Sequence, residues 1–191
     1  MVYNCPKCGG ELGLDGKCSP CAWKPSPLPL LGDIVAYPVG PWSAWQSKVI
    51  AVGELVLAVG TEPIQYSHIG ILSRWTEGRA DYEAQFPRVR EFAIPPARPF
   101  DIFQLPGLTA GQRSTILAYC RSHLGEWYNL IGVLTAGLIM PRNQAFCSEF
   151  AGQAYAAAGL LIPFEHERAL FPDAVADWPK AQKIFSSNGG K

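Results

Sequence analysis

Six of the 191 residues are cysteines, and they divide into a cluster and two singletons. Cys5, Cys8, Cys18 and Cys21 fall within the first two dozen positions, spaced as C-x2-C-x9-C-x2-C. Each C-x2-C turn can bring two sulfurs to one ion, and four thiolates complete the tetrahedron that zinc prefers. Four protein ligands leave no position for substrate, so such an ion is structural. A segment this short buries too little apolar surface to fold alone, and metal binding would supply the missing free energy. Two disulfides or free thiols are the alternative.

Cys147 raises a different question. It opens CSEFAGQAYAA, and Phe150, Ala151, Ala154, Tyr155 and Ala158 follow it along one helical stripe. That stripe suits a buried helix face, and a lone cysteine commonly packs. The start of a helix also offers unpaired N–H groups and a dipole that favour a thiolate.

A nucleophilic cysteine needs a base, and the chain has three histidines. His123 lies near a helix C-terminus and His166 in the polar run EHER. His68 interrupts the strand-like YSHIGIL. Alternation puts Tyr66, His68 and Gly70 on one face and Ser67, Ile69 and Ile71 on the other. Gly70 beside the histidine leaves room for another group to approach. Taken alone, His68 also reads as a satisfied buried histidine. The next strand-like run carries Asp81, Glu83 and Gln85 on one face. In an antiparallel neighbour Glu83 would lie beside His68 and could orient it. Glu77 and Asp81 flank the turn and are poorer orienters. Tyr66 is read either as a hydroxyl donor to the reacting oxygen or as an aromatic cleft wall.

These side chains have to be held by the elements around them. Strands are expected at 32–37, 66–72, 82–86, 89–94 and 100–105, and a helix at 43–59. Thr109-Ala110-Gly111-Gln112 has the pattern of a capping box, starting a helix that runs to about His123. Its stripe Ile116, Leu117, Cys120 and Leu124 makes Cys120 a core residue. A second helix is expected at 128–140, stopped by Pro141, and a third from Cys147 to about Ala158. Strands grouped in the middle with helices gathered after them indicate an α+β domain, an antiparallel sheet packed against helices. The boundaries read as a metal module at 1–24, a Pro-rich linker at 25–31, the main domain at 32–182 and a loose tail at 183–191.

Composition narrows the function classes. Apolar residues make up 48% and charged residues 17%, which suits a packed core rather than a disordered chain. Lys+Arg and Asp+Glu both number 16, so no overall field draws nucleic acid or an anionic membrane. The cysteine cluster carries Lys7, Lys17 and Lys24 against Glu11 and Asp15, far less basic than a nucleic-acid grip. A protein-docking or purely structural role is expected of it instead. MVYNCPKC shows no signal-peptide pattern, and the apolar run at 130–140 is too short to cross a bilayer. A reducing cytoplasm is the expected location, where paired cysteines usually mean metal.

Taken in order, Gly32-Asp33-Ile34-Val35, Tyr66-Ser67-His68-Ile69-Gly70-Ile71, Tyr82-Glu83-Ala84 and Phe146-Cys147-Ser148-Glu149-Phe150 resemble the circularly permuted branch of the NlpC-type papain-like hydrolases. The YiiX-like group is the part of that branch they resemble. There the histidine strand precedes the cysteine helix, the reverse of papain. The resemblance spans roughly residues 30 to 180, and the four-cysteine segment, which resembles a zinc ribbon, lies outside it. It implies a permuted papain-like fold with Cys147 as nucleophile, His68 as base and Glu83 as the polar third member. Gly125-Glu126-Trp127-Tyr128-Asn129 resembles the family segment G-x-x-Y-D, with Asn129 in place of the aspartate.

The implied chemistry is hydrolysis through a thioacyl-enzyme. An amide or peptide bond comes first, with peptidoglycan-type peptides as one substrate class. A cytoplasmic enzyme would meet these only after lysis or non-classical export. The alternative is lipid acyl transfer or thioester hydrolysis, the chemistry of lecithin retinol acyltransferase, with residues 130–134 lining an acyl groove. A third reading is a non-enzymatic module that binds a partner through its ribbon. Structural zinc is the only cofactor expected.

Overall fold

The computed structural model describes residues 28–40, 65–76, 78–129, 144–160 and 180–187. The four clustered cysteines, the helix expected at 43–59, Glu77, the apolar run from 130, His166 and the boundary at 24 lie outside these residues.

In chain order the described elements are β1 (Ile34–Pro38), β2 (Tyr66–Arg74), β3 (Ala80–Gln85), β4 (Arg88–Ala93), β5 (Asp101–Gln104) and α1 (Ala110–Ser122). They are followed by β6 (Trp127–Tyr128), β7 (Gln144–Ala145), α2 (Cys147–Ala157) and β8 (Gln182–Ser186). The strands form one sheet in the order β7-β6-β4-β3-β2-β1-β5-β8. All neighbours are antiparallel except β6 and β7, which are parallel. Among the described residues, two helices and one sheet make an α+β fold.

Period-two alternation sorts the strand residues between two layers. On one face Ile34, Ala36, Ile69, Ile71, Tyr82 and Ala84 pack with Ile116, Leu117 and Cys120 of α1 and with Phe150, Ala151, Ala154 and Tyr155 of α2. On the other, Val35, Tyr37, Leu72, Ile94, Phe100 and Ile102 form a second cluster. The alanines of α2 have little bulk, which lets the helix lie close to the strands it covers.

Helix α1 starts where the capping box places it. The Gln112 backbone N–H donates to Thr109 Oγ1 at 3.1 Å, and the Thr109 N–H donates back to Gln112 Oε1 at 3.0 Å. This satisfies two amides that the first turn leaves open. Asp33, just before β1, ties the layers together. Its carboxylate accepts from Arg113 of α1 at 2.6 Å and from the Leu30 amide at 2.8 Å. The Tyr155 hydroxyl of α2 donates to the Gly32 carbonyl at 2.7 Å.

Two expectations are corrected. Tyr128 does not begin a helix: Trp127 and Tyr128 form β6, and the Tyr128 amide donates to the Pro87 carbonyl at 2.9 Å. The last strand, Gln182–Ser186, runs into the segment assigned to a loose tail. It pairs with β5, and Phe185 stacks on Phe100 at 5.5 Å, so apolar burial holds that segment to the sheet edge.

Candidate active site

Three adjacent strands build the site. Tyr37 of β1 faces His68 of β2 in register, and their rings stack with centroids 5.6 Å apart. Strand β3 pairs with β2 through Ile71 with Tyr82 and Leu72 with Asp81. In that register Glu83 reaches His68 as a diagonal neighbour. His68 Nε2 lies 2.7 Å from Glu83 Oε2, with His68 3% exposed and Glu83 0%. The other carboxylate oxygen, Oε1, accepts from Arg98 at 2.8 Å. The Arg98 guanidinium also lies 3.4 Å from the centre of the Tyr37 ring. Arg98 was not foreseen, because the irregular segment between β4 and β5 gives no periodicity from which to place it.

Helix α2 delivers the sulfur. Cys147 is its first residue, fully buried, and its side chain acts on the His68 imidazole. Nε2 is committed to Glu83, so Nδ1 is the ring nitrogen left for the sulfur. Thiol, imidazole, carboxylate and guanidinium therefore follow one another from α2 to Arg98.

The charges in this line hold each other. Burial alone would pull the imidazole below its usual range. The Glu83 carboxylate and then Cys147 outweigh that and raise His68 to about 10. Burial would likewise push Glu83 up, but His68 and then Arg98 bring it down to about 2. Tyr128 is buried beside the same sulfur, and burial, then Cys147, push its phenol up.

Tyr66 stands elsewhere than expected. The β1–β2 register shifts between Tyr37 and Pro38, so Tyr66 pairs with Pro38 and joins the helix-side cluster. Its ring meets Phe103 edge-on at 5.5 Å, and its hydroxyl donates to Asp101 Oδ2 at 2.6 Å. Lys183 donates to the same carboxylate oxygen at 2.9 Å. A β-bulge has thus turned Tyr66 away from the His68 face, and the phenol that interacts with the sulfur is that of Tyr128.

Gly70 does leave room, and the group that enters is Asp81. A Cβ on Gly70 would fall on Asp81 Oδ2 and lie 3.0 Å from Asp81 Cγ and from the Tyr82 carbonyl. Cys120 is 0% exposed in the helix-side cluster, and burial pushes its thiol up to about 12. His123 stacks on Tyr119 at 3.8 Å at the end of α1, away from this chemistry. Asn129 is fully buried. Among the described residues no group of three or more His, Cys, Asp or Glu side chains could hold a metal. Also among them, no helix is long and apolar enough to cross a membrane.

No family model matches the sequence, and neither does any curated protein. Among solved structures, one described as the metalloprotein YiiX of Escherichia coli O157:H7 superposes with a TM-score of 0.63. The match covers 82% of this chain and 97% of that one, at 19% identity. The chain has the YiiX fold. The metal in that description belongs to YiiX. The described residues here offer no set that fits one, and no step is assigned to a metal at this site.

Proposed function

We propose that the chain is a cysteine hydrolase that cleaves an amide or peptide bond through a thioacyl-enzyme. The observation that carries this reading is the unbroken line from the Cys147 thiol through His68 to Glu83. An imidazole held near 10 keeps its proton at neutral pH.

The thiolate sulfur bonds to the substrate carbonyl carbon, and the electron pair moves to oxygen. Cys147 is the first residue of α2, so its backbone N–H has no intrahelical acceptor and points to where it would stabilise that oxyanion. The C–N bond then breaks, and the His68 proton passes to the departing amine. Water attacks the thioester, His68 takes its proton, and the acid leaves as the C–S bond breaks. Glu83 holds the ring orientation and stabilises its cation. Peptidoglycan-type peptides are the substrates to try first, on the strength of the YiiX-like resemblance. The four N-terminal cysteines are assigned one structural zinc, and the ribbon a protein partner.

Cys120 is the internal control, because it is equally buried and no histidine or carboxylate among the described residues acts on it. Cysteine mapping after mild iodoacetamide should show Cys147 labelled well ahead of Cys120, and Cys147→Ala should remove that label. Intact mass after incubation with muropeptides should show a trapped acyl adduct in the parent only. Equal labelling of the two cysteines, with no adduct, would exclude the reading.

A further inference from the structure

Asp81 is fully buried two positions before Glu83 on β3, and both point to the side of the sheet opposite the helices. Their surroundings differ. Glu83 has a cationic partner on each oxygen, His68 on Oε2 and Arg98 on Oε1. Asp81 forms no ion pair among the described residues. Its Oδ2 accepts from the Tyr37 hydroxyl at 2.7 Å, while Oδ1 is buried and receives no donor. On β2, Gly70 lacks the side chain that would displace this carboxyl. On β4, Phe92 and Arg90 stand across from Asp81 and Glu83, and the Arg90 guanidinium goes to Gln85 and the Phe92 ring. Every cation facing the pair is therefore spent on Glu83 or turned away.

Two buried carboxyls this close do not both ionise. The one with two cations keeps the charge, and the one without keeps the proton. An oxygen that receives no donor is where that proton sits, and a buried O–H needs an acceptor. The neighbouring Glu83 carboxylate supplies one. We propose that Asp81 is a positioning residue acting as a neutral acid: its Oδ1–H donates to Glu83 while Oδ2 accepts from Tyr37, fixing the Glu83 carboxylate against His68. The role rests on the cysteine-hydrolase reading above. Burial, then the Glu83 charge, push Asp81 well above the usual carboxylate range, and a hydrogen bond from Asp81 helps to hold Glu83 ionised. A neutral acid adds a donor to the site without adding a second negative charge beside the imidazolium.

Carbon-13 NMR of labelled aspartate reads the proton directly, with the Asp81 signal assigned by its loss in Asp81→Asn. The expected Cγ resonance is that of a carboxylic acid, unchanged between about pH 5 and 8, where an ordinary aspartate is ionised. Iodoacetamide labelling of Cys147 reads the function. Asp81→Ala should slow it about tenfold, the size of one hydrogen bond to a charged group. Asp81→Asn should restore the rate, since its amide donates to Glu83 and its carbonyl accepts from Tyr37. The rescue should leave the His68 titration, read from its imidazole proton shifts by NMR, in place. An ionised Asp81 resonance beside a reactive Cys147 overturns the inference alone. So does an Asp81→Asn variant whose His68 titration moves down, as the loss of a negative charge would require. A parent whose Cys147 does not react overturns the hydrolase reading and the positioning role with it.

Discussion

His68 Nε2 and Glu83 Oε2 meet at 2.7 Å with both side chains removed from water, and Arg98 closes the far side of the carboxylate. A buried pair of this kind is stable only while both partners are charged. His68 is raised from 6.5 to about 10, so its contribution is complete below pH 6.5 and is lost as pH rises toward 10. Glu83 is lowered from 4.5 to about 2, so its contribution is complete above pH 4.5 and is lost as pH falls toward 2. Urea midpoints should therefore be highest between those two ordinary values and decline on both sides. Glu83→Gln should cost about 3–5 kcal/mol, because it leaves the buried His68 and the partly buried Arg98 unpartnered. It should also move the His68 titration, read from its imidazole proton shifts by NMR, down toward the ordinary histidine range. A titration that stays in place would remove Glu83 from the line.

Gly70→Ala should destabilise the fold by about 1–3 kcal/mol, the usual size of an overpacking penalty. The new methyl meets the Asp81 carboxyl and the Tyr82 carbonyl, and the carbonyl is backbone that cannot step aside. Trimming Asp81 in the same chain, as Gly70→Ala/Asp81→Ala, should cost less than the two single losses added together. Additive losses in urea titrations would show that the clash lies elsewhere.

Tyr66→Phe should leave the labelling rate of Cys147 as it is. The hydroxyl it removes is committed to Asp101 and Lys183 rather than to the sulfur. The expected loss is about 1–3 kcal/mol of stability, two hydrogen bonds. A strong fall in labelling would return Tyr66 to the site.

The spacing of Cys5, Cys8, Cys18 and Cys21 predicts one zinc per chain. Native mass spectrometry should show that mass and lose it in Cys5→Ser/Cys8→Ser. Cys147 labelling should survive the change, since a structural ion takes no part in thiol chemistry. An unchanged native mass in the variant would dismiss the ribbon.

By itself the sequence determined what depends on short-range periodicity. Alternation put Ile69 and Ile71 in one layer and His68, Asp81 and Glu83 in the other, and the capping box set the first residue of α1. The small-residue stripe behind Cys147 placed its sulfur against the sheet. These are legible because a strand repeats every two residues and a helix every 3.6. Only the tertiary structure decided how neighbouring strands slide against each other. One bulge between β1 and β2 moved Tyr66 into the helix-side core, and no local pattern announces it. The pairing of β6 and the edge strand β8 likewise depend on partners distant in the chain. Arg98 comes from an irregular segment, and it counts only because the fold brings it to Glu83. The different charge states of Asp81 and Glu83 have the same origin. The two acids stand two residues apart on one strand, and what separates them is which cations the surrounding strands and loops bring to each.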